Sequence, residues 1–363
     1  MQLREIISAL ETLAPPSLQE SYDNSGLLTG SPDMEVTGIL TSLDCTEAIL
    51  DEAIQHQCNV IVCHHPVIFS GLKRLTGRNY VERTIIRAIR EGIAIYAIHT
   101  NLDNVGHGVN AEIARRLGLQ NTRILEPLKG RLKLLVTYVP DSHAEEVKSA
   151  LFAAGAGHIS NYDQCSFSQT GIGTYRPLDG ANPYSGEMGK RSEENEQRVE
   201  MIFEDWKESQ VLRSLFSRHP YEEVAYNLYA LTNEHPQHGA GMIGELPESM
   251  ETDQFLAMVK NQLTTNCIRH TKPLGEIRKV AVCGGSGSFL LQRAMSAGAD
   301  AFVSADFKYH QFFDADDKIL IADVGHFESE QFTINLLASY LREKFTNFAV
   351  RLTELSTNPI NYF

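Results

Sequence analysis

Apolar and polar positions follow two alternating periods through the first third of the chain. Some segments repeat apolar residues with the helical period, and others are short apolar runs bounded by turn residues, which are typical of buried strands. Strands that take turns with helices predict an α/β layer with a largely parallel sheet. In chain order these segments are residues 2–13 (helix), 36–43 (strand), 47–56 (helix), 60–63 (strand), 81–91 (helix) and 93–98 (strand).

The middle of the chain has a different order of elements and reads as an insertion. A Gly-, Ser- and Asn-rich polar stretch separates its first strand and helix from the rest, and the order β-α-β followed by α-β is the pattern of a ferredoxin-like α+β unit. The predicted segments are residues 132–139 (strand), 144–154 (helix), 198–203 (strand), 209–217 (helix) and 224–231 (strand).

The α/β pattern returns after the insertion, with predicted strands at residues 280–283, 301–304 and 319–324. We therefore predict a two-lobed α/β core interrupted by a ferredoxin-like α+β insert. The predicted domains are residues 1–126 for the first lobe, 127–235 for the insert and 236–363 for the second lobe.

Composition and charge narrow the classes of protein. The chain has 363 residues, 42% of them hydrophobic and 21% charged, which is typical of a globular protein of more than one domain. Its net charge of -14 disfavours a nucleic-acid partner, because phosphate contacts need clustered cations. A signal peptide and a membrane-length apolar run are both lacking, and the six cysteines form no CxxC pair, so we expect a soluble cytoplasmic protein with free thiols and no membrane partner.

Histidines and acids stand in three groups, each directly after a predicted strand. In open α/β sheets, ligands bind beyond the carboxyl ends of the strands. The adjacent histidines of the first group point in different directions, which suits two metal ions, or one ion and a neighbouring group, better than one shared ion. A helix that begins at Gly325 would place the two residues of the third group on one face. The groups are His64 with His65, His99 with Asp103, and His326 with Glu330.

Imidazole mixed with carboxylate suits Zn, Fe, Mn, Co or Ni better than Ca or Mg. Each group alone also has a structural interpretation, since histidine pairs are common on surfaces and single spacings arise by chance. His99 could ligate a metal or hydrogen-bond a ligand. Cys63 lies within an apolar run and is interpreted as a buried thiol.

Seven motifs together resemble the Nif-three-like dinuclear-metal family, whose bacterial members are named GTP cyclohydrolase 1 type 2 homologues. The resemblance covers nearly the whole chain, and Tyr22 stands where the family more often has Trp. The motifs are YDNSGLL (22–28), HHP (64–66), HTNLD (99–103), GAGMIGEL (239–246), VAVCGGSGS (280–288), SADFKYH (304–310) and GHFESE (325–330).

The resemblance implies two divalent metal ions per chain, in a homohexameric toroid built as a trimer of dimers. It implies metal ligands in both lobes, with Asp103 and Glu330 as the better candidates for bridging. It also places Asp306 and His310 in a motif that lines the internal cavity, and we predict these two as catalytic groups, with His310 as general acid or base or else bonded to Asp306. The implied ligands are His64, His65, Asp103, His326 and Glu330.

The predicted function is a dinuclear-metal-dependent hydrolase. The resemblance implies GTP as the substrate, with metal-bound hydroxide attacking C8 of guanine to give formate and dihydroneopterin triphosphate. Two alternatives stay open, namely a phosphoesterase acting on another substrate and a non-catalytic metal-binding or regulatory assembly. The insert resembles CutA and P-II signalling proteins in the segments GTYRPLDGANPYSGEMGK (173–190) and HPYEEVAYNLY (219–229). This resemblance favours the regulatory assembly.

The glycine-rich turn at residues 284–288 also has two interpretations. A turn of this kind after a strand can cradle a phosphate at a helix N-terminus, or it can simply be tight.

Overall fold

The computed structural model describes residues 1–363 as two compact units. The first unit combines both ends of the chain, Met1–Glu126 and Gln237–Phe363, and the second is the intervening segment Pro127–Pro236. None of the helices combines the length and the apolar character that crossing a bilayer requires.

Strands account for three sheets. In chain order they are β1 (Gly26–Thr29), β2 (Ile39–Ser42), β3 (Val60–Cys63), β4 (Ala94–Ala97), β5 (Gln120–Lys129), β6 (Leu132–Pro140), β7 (Phe167–Tyr175), β8 (Ser192–Glu204), β9 (Tyr226–Leu231), β10 (Glu234–Glu251), β11 (Arg269–His270), β12 (Glu276–Ser286), β13 (Ala301–Ala305), β14 (Leu320–Asp323) and β15 (Val350–Leu352).

The α-helices lie between these strands. They are α1 (Leu3–Leu13), α2 (Glu47–Gln55), α3 (Tyr80–Arg90), α4 (Thr100–Asp103), α5 (Val109–Arg116), α6 (Ala144–Ala153), α7 (Glu208–Arg218), α8 (Thr252–Gln262), α9 (Leu291–Ser296), α10 (His326–Glu330) and α11 (Thr333–Lys344).

The first sheet has the order β1-β4-β3-β2-β15. Its strands β15, β2, β3 and β4 are parallel, and β1 pairs antiparallel with β4 at the edge. Strands β2, β3 and β4 are buried along their whole length, as apolar runs in a parallel sheet must be. Ile49 and Leu50 of α2 and Ile85 of α3 join the core that covers one face of this sheet.

The second sheet has the order β11-β14-β13-β12-β10-β5. Its centre, β12-β13-β14, is parallel, whereas β10 and β11 pair antiparallel with β12 and β14. Phe302 and Ile321 from the central strands pack with Leu291 and Ala294 of α9 in one core cluster. The mixed α/β fold predicted from the sequence is confirmed.

The unit Pro127–Pro236 contains one four-stranded sheet of order β7-β8-β6-β9, in which all neighbours are antiparallel. Its element order is β-α-β-β-α-β, that of a ferredoxin-like unit. One face of the sheet is covered by α6 and α7, whose Leu151 and Leu215 pack against Leu135, Val199 and Met201.

Candidate metal centre

The first two candidate ligands follow β3 directly, so they emerge at the carboxyl end of a buried parallel strand. The ring of His64 is fully buried, and its Nδ1 lies 2.8 Å from the carbonyl oxygen of Ile98. A carbonyl only accepts, so Nδ1 carries the proton and donates it. The Nε2 lone pair then has no hydrogen-bond partner, although it is buried.

Two carboxylates face this lone pair. Asp103 Oδ1 lies 3.6 Å from His64 Nε2, and Glu330 Oε1 lies 3.9 Å from it. Asp103 Oδ1 is itself buried without a hydrogen-bond partner. Burial and the Glu330 charge raise the pKa of Asp103 to about 7. Buried acceptors that face one another without a donor are the arrangement that a cation would satisfy.

A second group forms around the other oxygen of Glu330. Glu330 Oε2 lies 2.9 Å from His65 Nε2 and 3.1 Å from His326 Nε2, and the two Nε2 atoms are 3.3 Å apart. Ligand atoms around a tetrahedral zinc ion are about 3.3 Å from one another, because bonds of about 2.0 Å meet at tetrahedral angles. These spacings therefore fit a single small divalent ion.

Glu330 thus connects two groups of ligands, one at each carboxylate oxygen. It lies in α10, four residues after His326, so both side chains project from one face of the helix. Burial alone would raise the pKa of Glu330, but the charge of His326 and the hydrogen bonds from His326 and His65 hold it well below its ordinary value. The carboxylate is therefore ionised and available as a bridge.

His65 and His326 each donate a hydrogen bond from Nδ1, the ring nitrogen that faces away from Glu330, to a carboxylate. Asp44 Oδ1 accepts from His65 Nδ1 at 2.7 Å, and Asp306 Oδ2 accepts from His326 Nδ1 at the same distance. A carboxylate on the far nitrogen fixes the ring and directs Nε2 towards the metal position. Neither acid was predicted in this orienting role from the sequence, although Asp44 has the signal of an acid two residues after a buried strand.

These acids also determine the protonation of the metal-free histidines. Burial alone would lower the pKa of His65, but Asp44 and Glu330 raise it to about 9. Burial would likewise lower the pKa of His326, and Glu330 with Asp306 raises it to about 11. Both rings carry a proton near neutral pH until something displaces it.

Neutralising the Asp44 carboxylate, which accepts the hydrogen bond of His65 Nδ1, should weaken metal binding without disturbing the fold. We expect the Asp44→Asn variant to bind zinc about 10- to 100-fold more weakly, because the amide no longer fixes the ring and its tautomer. Competition with a chromogenic chelator measures this affinity. The matched control is Asp51→Asn, which changes an exposed acid of α2 paired with Arg87. Wild-type affinity in both variants would contradict the orienting role.

His99 precedes α4, and its ring centroid lies 5.3 Å from that of His64 and 5.5 Å from that of His65. Its Nδ1 donates to Asp23 Oδ1 at 2.7 Å. Asp23 also accepts hydrogen bonds from Ser25 and Thr100. These bonds account for the polar residues Asp23 and Ser25 in the YDNSG turn. The contacts are compatible with His99 as a ligand or as a group beside the ligands.

The turn at residues 284–288 is tight because the backbone passes close to Glu330. A Cβ atom on Gly285, where φ is +59°, would lie 2.4 Å from Glu330 Oε1. The N–H groups of Gly284 and Gly285 donate to Asn110 and Ser329, so they are already satisfied within the protein. These contacts favour the tight-turn interpretation over a phosphate cradle.

Substituting Gly285 should therefore disturb the site more than the fold. We expect Gly285→Ala to lose most of its bound metal, since the added methyl group displaces Glu330, with about 1–2 kcal/mol of lost stability from the left-handed backbone. Metal analysis and denaturant unfolding measure the two effects. Gly118→Ala is the control, because its φ of +69° imposes the same strain with no atom within 4 Å of the new Cβ. Full metal content in Gly285→Ala would refute the crowding argument.

A cavity of about 560 Å³ opens over the two groups. His65, Asp103, His326 and Glu330 lie among its lining residues, and Lys and Arg are absent from that lining. Its rim carries aromatic side chains that are more than half exposed. They are Tyr22, Phe69 and Phe289.

The two predicted catalytic residues have different positions. Asp306 bonds to His326, in contact with the candidate ligands, and its pKa is lowered mainly by that hydrogen bond. His310 is exposed on the 3-10 turn Tyr309–Ala315, in ring contact with Tyr309 and Phe313, and it is not among the residues that line the cavity. The catalytic role of both residues stays a prediction.

Known proteins define the class to which this fold and site belong. The model of the Duf34/NIF3 family (NGG1p interacting factor 3) matches residues 1–359. The chain belongs to this family, which confirms the resemblance drawn from its motifs.

Relatives and solved structures agree with this assignment along the full length. A protein of Halalkalibacterium halodurans named GTP cyclohydrolase 1 type 2 homolog is 37% identical over 98% of this chain and 98% of its own. One of the same name from Bacillus subtilis is 35% identical over 99% and 98%. The crystal structure of a Bacillus cereus protein related to NIF3 superposes with a TM-score of 0.89 and 38% identity, over 100% of this chain and 99% of that one.

Proposed function

We propose that this protein is a dinuclear-metal-dependent hydrolase whose ions are held by His64, His65, Asp103, His326 and Glu330. The observation that carries the proposal is the position of Glu330, with Oε1 towards His64 and Oε2 within 3.1 Å of both His65 and His326. A carboxylate shared in this way is suited to bridge two divalent ions.

The donor set fits such ions on its own chemistry. It combines three imidazoles with two carboxylates, and the lone pair of His64 and one oxygen of Asp103 are buried without partners. When bound, two divalent ions supply an acidified water and an electrophile for a phosphoryl or carbonyl oxygen. Asp44 and Asp306 orient the rings of His65 and His326.

The lining of the cavity suits a substrate that has a planar group at the rim and a second group at the candidate metal ligands. Tyr22, Phe69 and Phe289 offer aromatic faces at the rim, on which a nucleobase could stack. Because the lining lacks Lys and Arg, a phosphate group would depend on the metal ions for its countercharge. Together with the names of the relatives, this makes GTP cyclohydrolysis the first activity to test.

The test is turnover of GTP by the full-length protein loaded with zinc, manganese or iron. We expect a fluorescent pterin after oxidation of the product, and none from the Glu330→Gln variant. Bis(p-nitrophenyl) phosphate is assayed beside it. Hydrolysis of the phosphodiester without pterin would reject ring opening and keep a metal-dependent phosphoesterase.

A second candidate function is metal binding without turnover. It is favoured by the absence of His310 from the cavity lining, where the histidines are the candidate ligands His65 and His326, and His99. Saturable binding of metal with no product from either substrate would select it.

We propose further that the protein assembles as a homohexameric toroid. Sedimentation velocity of the metal-loaded protein measures it directly. A species of about six chains is expected from the resemblance, and a monomer at micromolar concentration would reject it.

A further inference from the structure

The unit Pro127–Pro236 has a cavity of its own, with a volume of about 740 Å³. It lies on the sheet face opposite α6 and α7. Tyr138, Glu196 and Arg198 line it, and they alternate along β6 and β8 with Val139 and Val199, which belong to the core under the helices. The metal centre described above uses no residue of this cavity.

A buried acid is the central feature of this cavity. Glu196 is only 8% exposed, and its Oε1 accepts a hydrogen bond of 2.8 Å from the Tyr221 hydroxyl. Its Oε2 has no hydrogen-bond partner within the protein and keeps accessible surface towards the cavity, and Glu196 forms no ion pair. On β7, a Cβ atom at Gly173 would lie 2.1 Å from that oxygen, so glycine leaves the space that Oε2 occupies.

Tyrosine rings surround the acid. The ring of Tyr221 lies 6.1 Å from that of Tyr175 and 5.8 Å from that of Tyr184, and Tyr138 also lines the cavity. Burial and the hydrogen bond to Glu196 raise the pKa of Tyr221, so it remains a donor at all physiological pH values. Electron-rich faces grouped around a negative charge favour an organic cation.

The cations already present do not neutralise this site. Arg198 is bound to Glu200 at 2.7 Å, and Arg176 is exposed without an ion pair. Glu222 and Glu223 add further negative charge to the lining. An anionic ligand would have to approach Glu196 against this charge.

We propose that this cavity binds an alkylammonium ligand, with one N–H donated to Glu196 Oε2 and the alkyl body against the tyrosine rings. An N–H is required because the free carboxylate oxygen is an acceptor. The inference does not depend on the proposed hydrolase activity, since it concerns another unit of the chain.

The experiment is calorimetric titration of the full-length, metal-loaded protein with n-butylammonium, n-butanol and butyrate, which share a chain and differ in charge. We expect saturable binding of n-butylammonium alone. Glu196→Gln keeps the acceptor for Tyr221 and should weaken binding by at least about tenfold, the effect of losing a charge-assisted hydrogen bond. The control is Glu193→Gln, an exposed change on the opposite face of β8.

A second variant decides the question if Glu196→Gln does not fold. Tyr184 is 45% exposed, so Tyr184→Leu keeps the fold while removing one aromatic face, and should weaken binding about three- to tenfold. Tyr162→Leu, at a site 74% exposed and outside the cavity lining, is its control. Three outcomes would each overturn the proposal. They are unchanged affinity for n-butylammonium in both cavity variants, preferred binding of butyrate, and no saturable binding because a second copy of the chain covers this face.

Discussion

The Glu330→Gln variant is expected to purify with one or no metal ion per chain, where the wild-type protein should hold about two. Glutamine has the same shape, but its amide has a single neutral oxygen and cannot bridge two cations. Glu330 also supplies the negative charge that attracts both histidines, since its Oε2 lies 2.9 Å from His65 Nε2 and 3.1 Å from His326 Nε2. Both ion positions therefore lose a ligand in one substitution. Elemental analysis of the purified variant measures the outcome.

Glu328→Gln provides a closely matched control. Glu328 is buried in the same helix, but its Oε1 accepts from Asn358 and it is not a member of either ligand group. The same change two residues away should leave the metal content at the wild-type value. Equal loss in both variants would indicate damage to α10, and full metal in Glu330→Gln would refute the bridge.

Metal affinity is expected to rise steeply with pH between about 6 and 8. In the metal-free protein the raised pKa values of His65, about 9, and His326, about 11, keep both rings protonated throughout this range. A metal ion binds only the deprotonated ring, so each displaced proton adds about a tenfold gain in affinity per pH unit. Two displaced protons give about a 100-fold gain per unit.

Titration calorimetry in buffers of different ionisation enthalpy counts the released protons. Between two and three protons per chain at pH 7 are expected for the wild-type protein, two from His65 and His326 and about half of one from Asp103, whose pKa is about 7. The Asp306→Asn variant keeps Glu330 but removes the second acid that raises the pKa of His326, so its proton release should begin to fall at a lower pH than that of the wild-type protein. An affinity independent of pH would contradict the exchange of protons for metal.

The raised pKa values of His65 and His326 also affect the stability of the metal-free protein. Its stability should fall as pH rises, whereas metal affinity should increase. Histidines with raised pKa values stabilise the fold fully below about 6.5, the ordinary pKa, and this contribution is lost as pH rises through about 9. The melting temperature of chelated protein should therefore fall between about pH 7 and pH 10.

The sequence was sufficient to predict the fold class and the positions of the candidate ligands. Strands β3 and β4 are uninterrupted apolar runs and β14 is apolar up to Asp323, and a histidine-containing motif follows each within three residues. Such buried apolar runs have few alternatives to a strand of a parallel sheet. The structure brings His64 and His65 within 4 Å of Glu330 across more than 260 positions of sequence. Motif resemblance supplied that pairing, because periodicity carries no information on which strand ends meet.

Other features could not be read from local pattern. Strand β7 is exposed over most of its length and carries two glycines, so its composition is that of a loop, and only pairing with β8 makes it a strand. Asp23 and Asp44 lie in turns, where acids are common for reasons of local hydrogen bonding. Their role depends on histidines distant in sequence, and single-chain patterns do not reveal such partners.

The distance along the chain between His65 and Glu330 has a consequence for biosynthesis. The first ligands leave the ribosome long before α10 is made, and the whole unit Pro127–Pro236 is synthesised in between. A nascent or truncated chain that stops before residue 330 cannot complete either group of ligands. Under the proposed metal role, loading would be a late event that distinguishes finished chains from fragments.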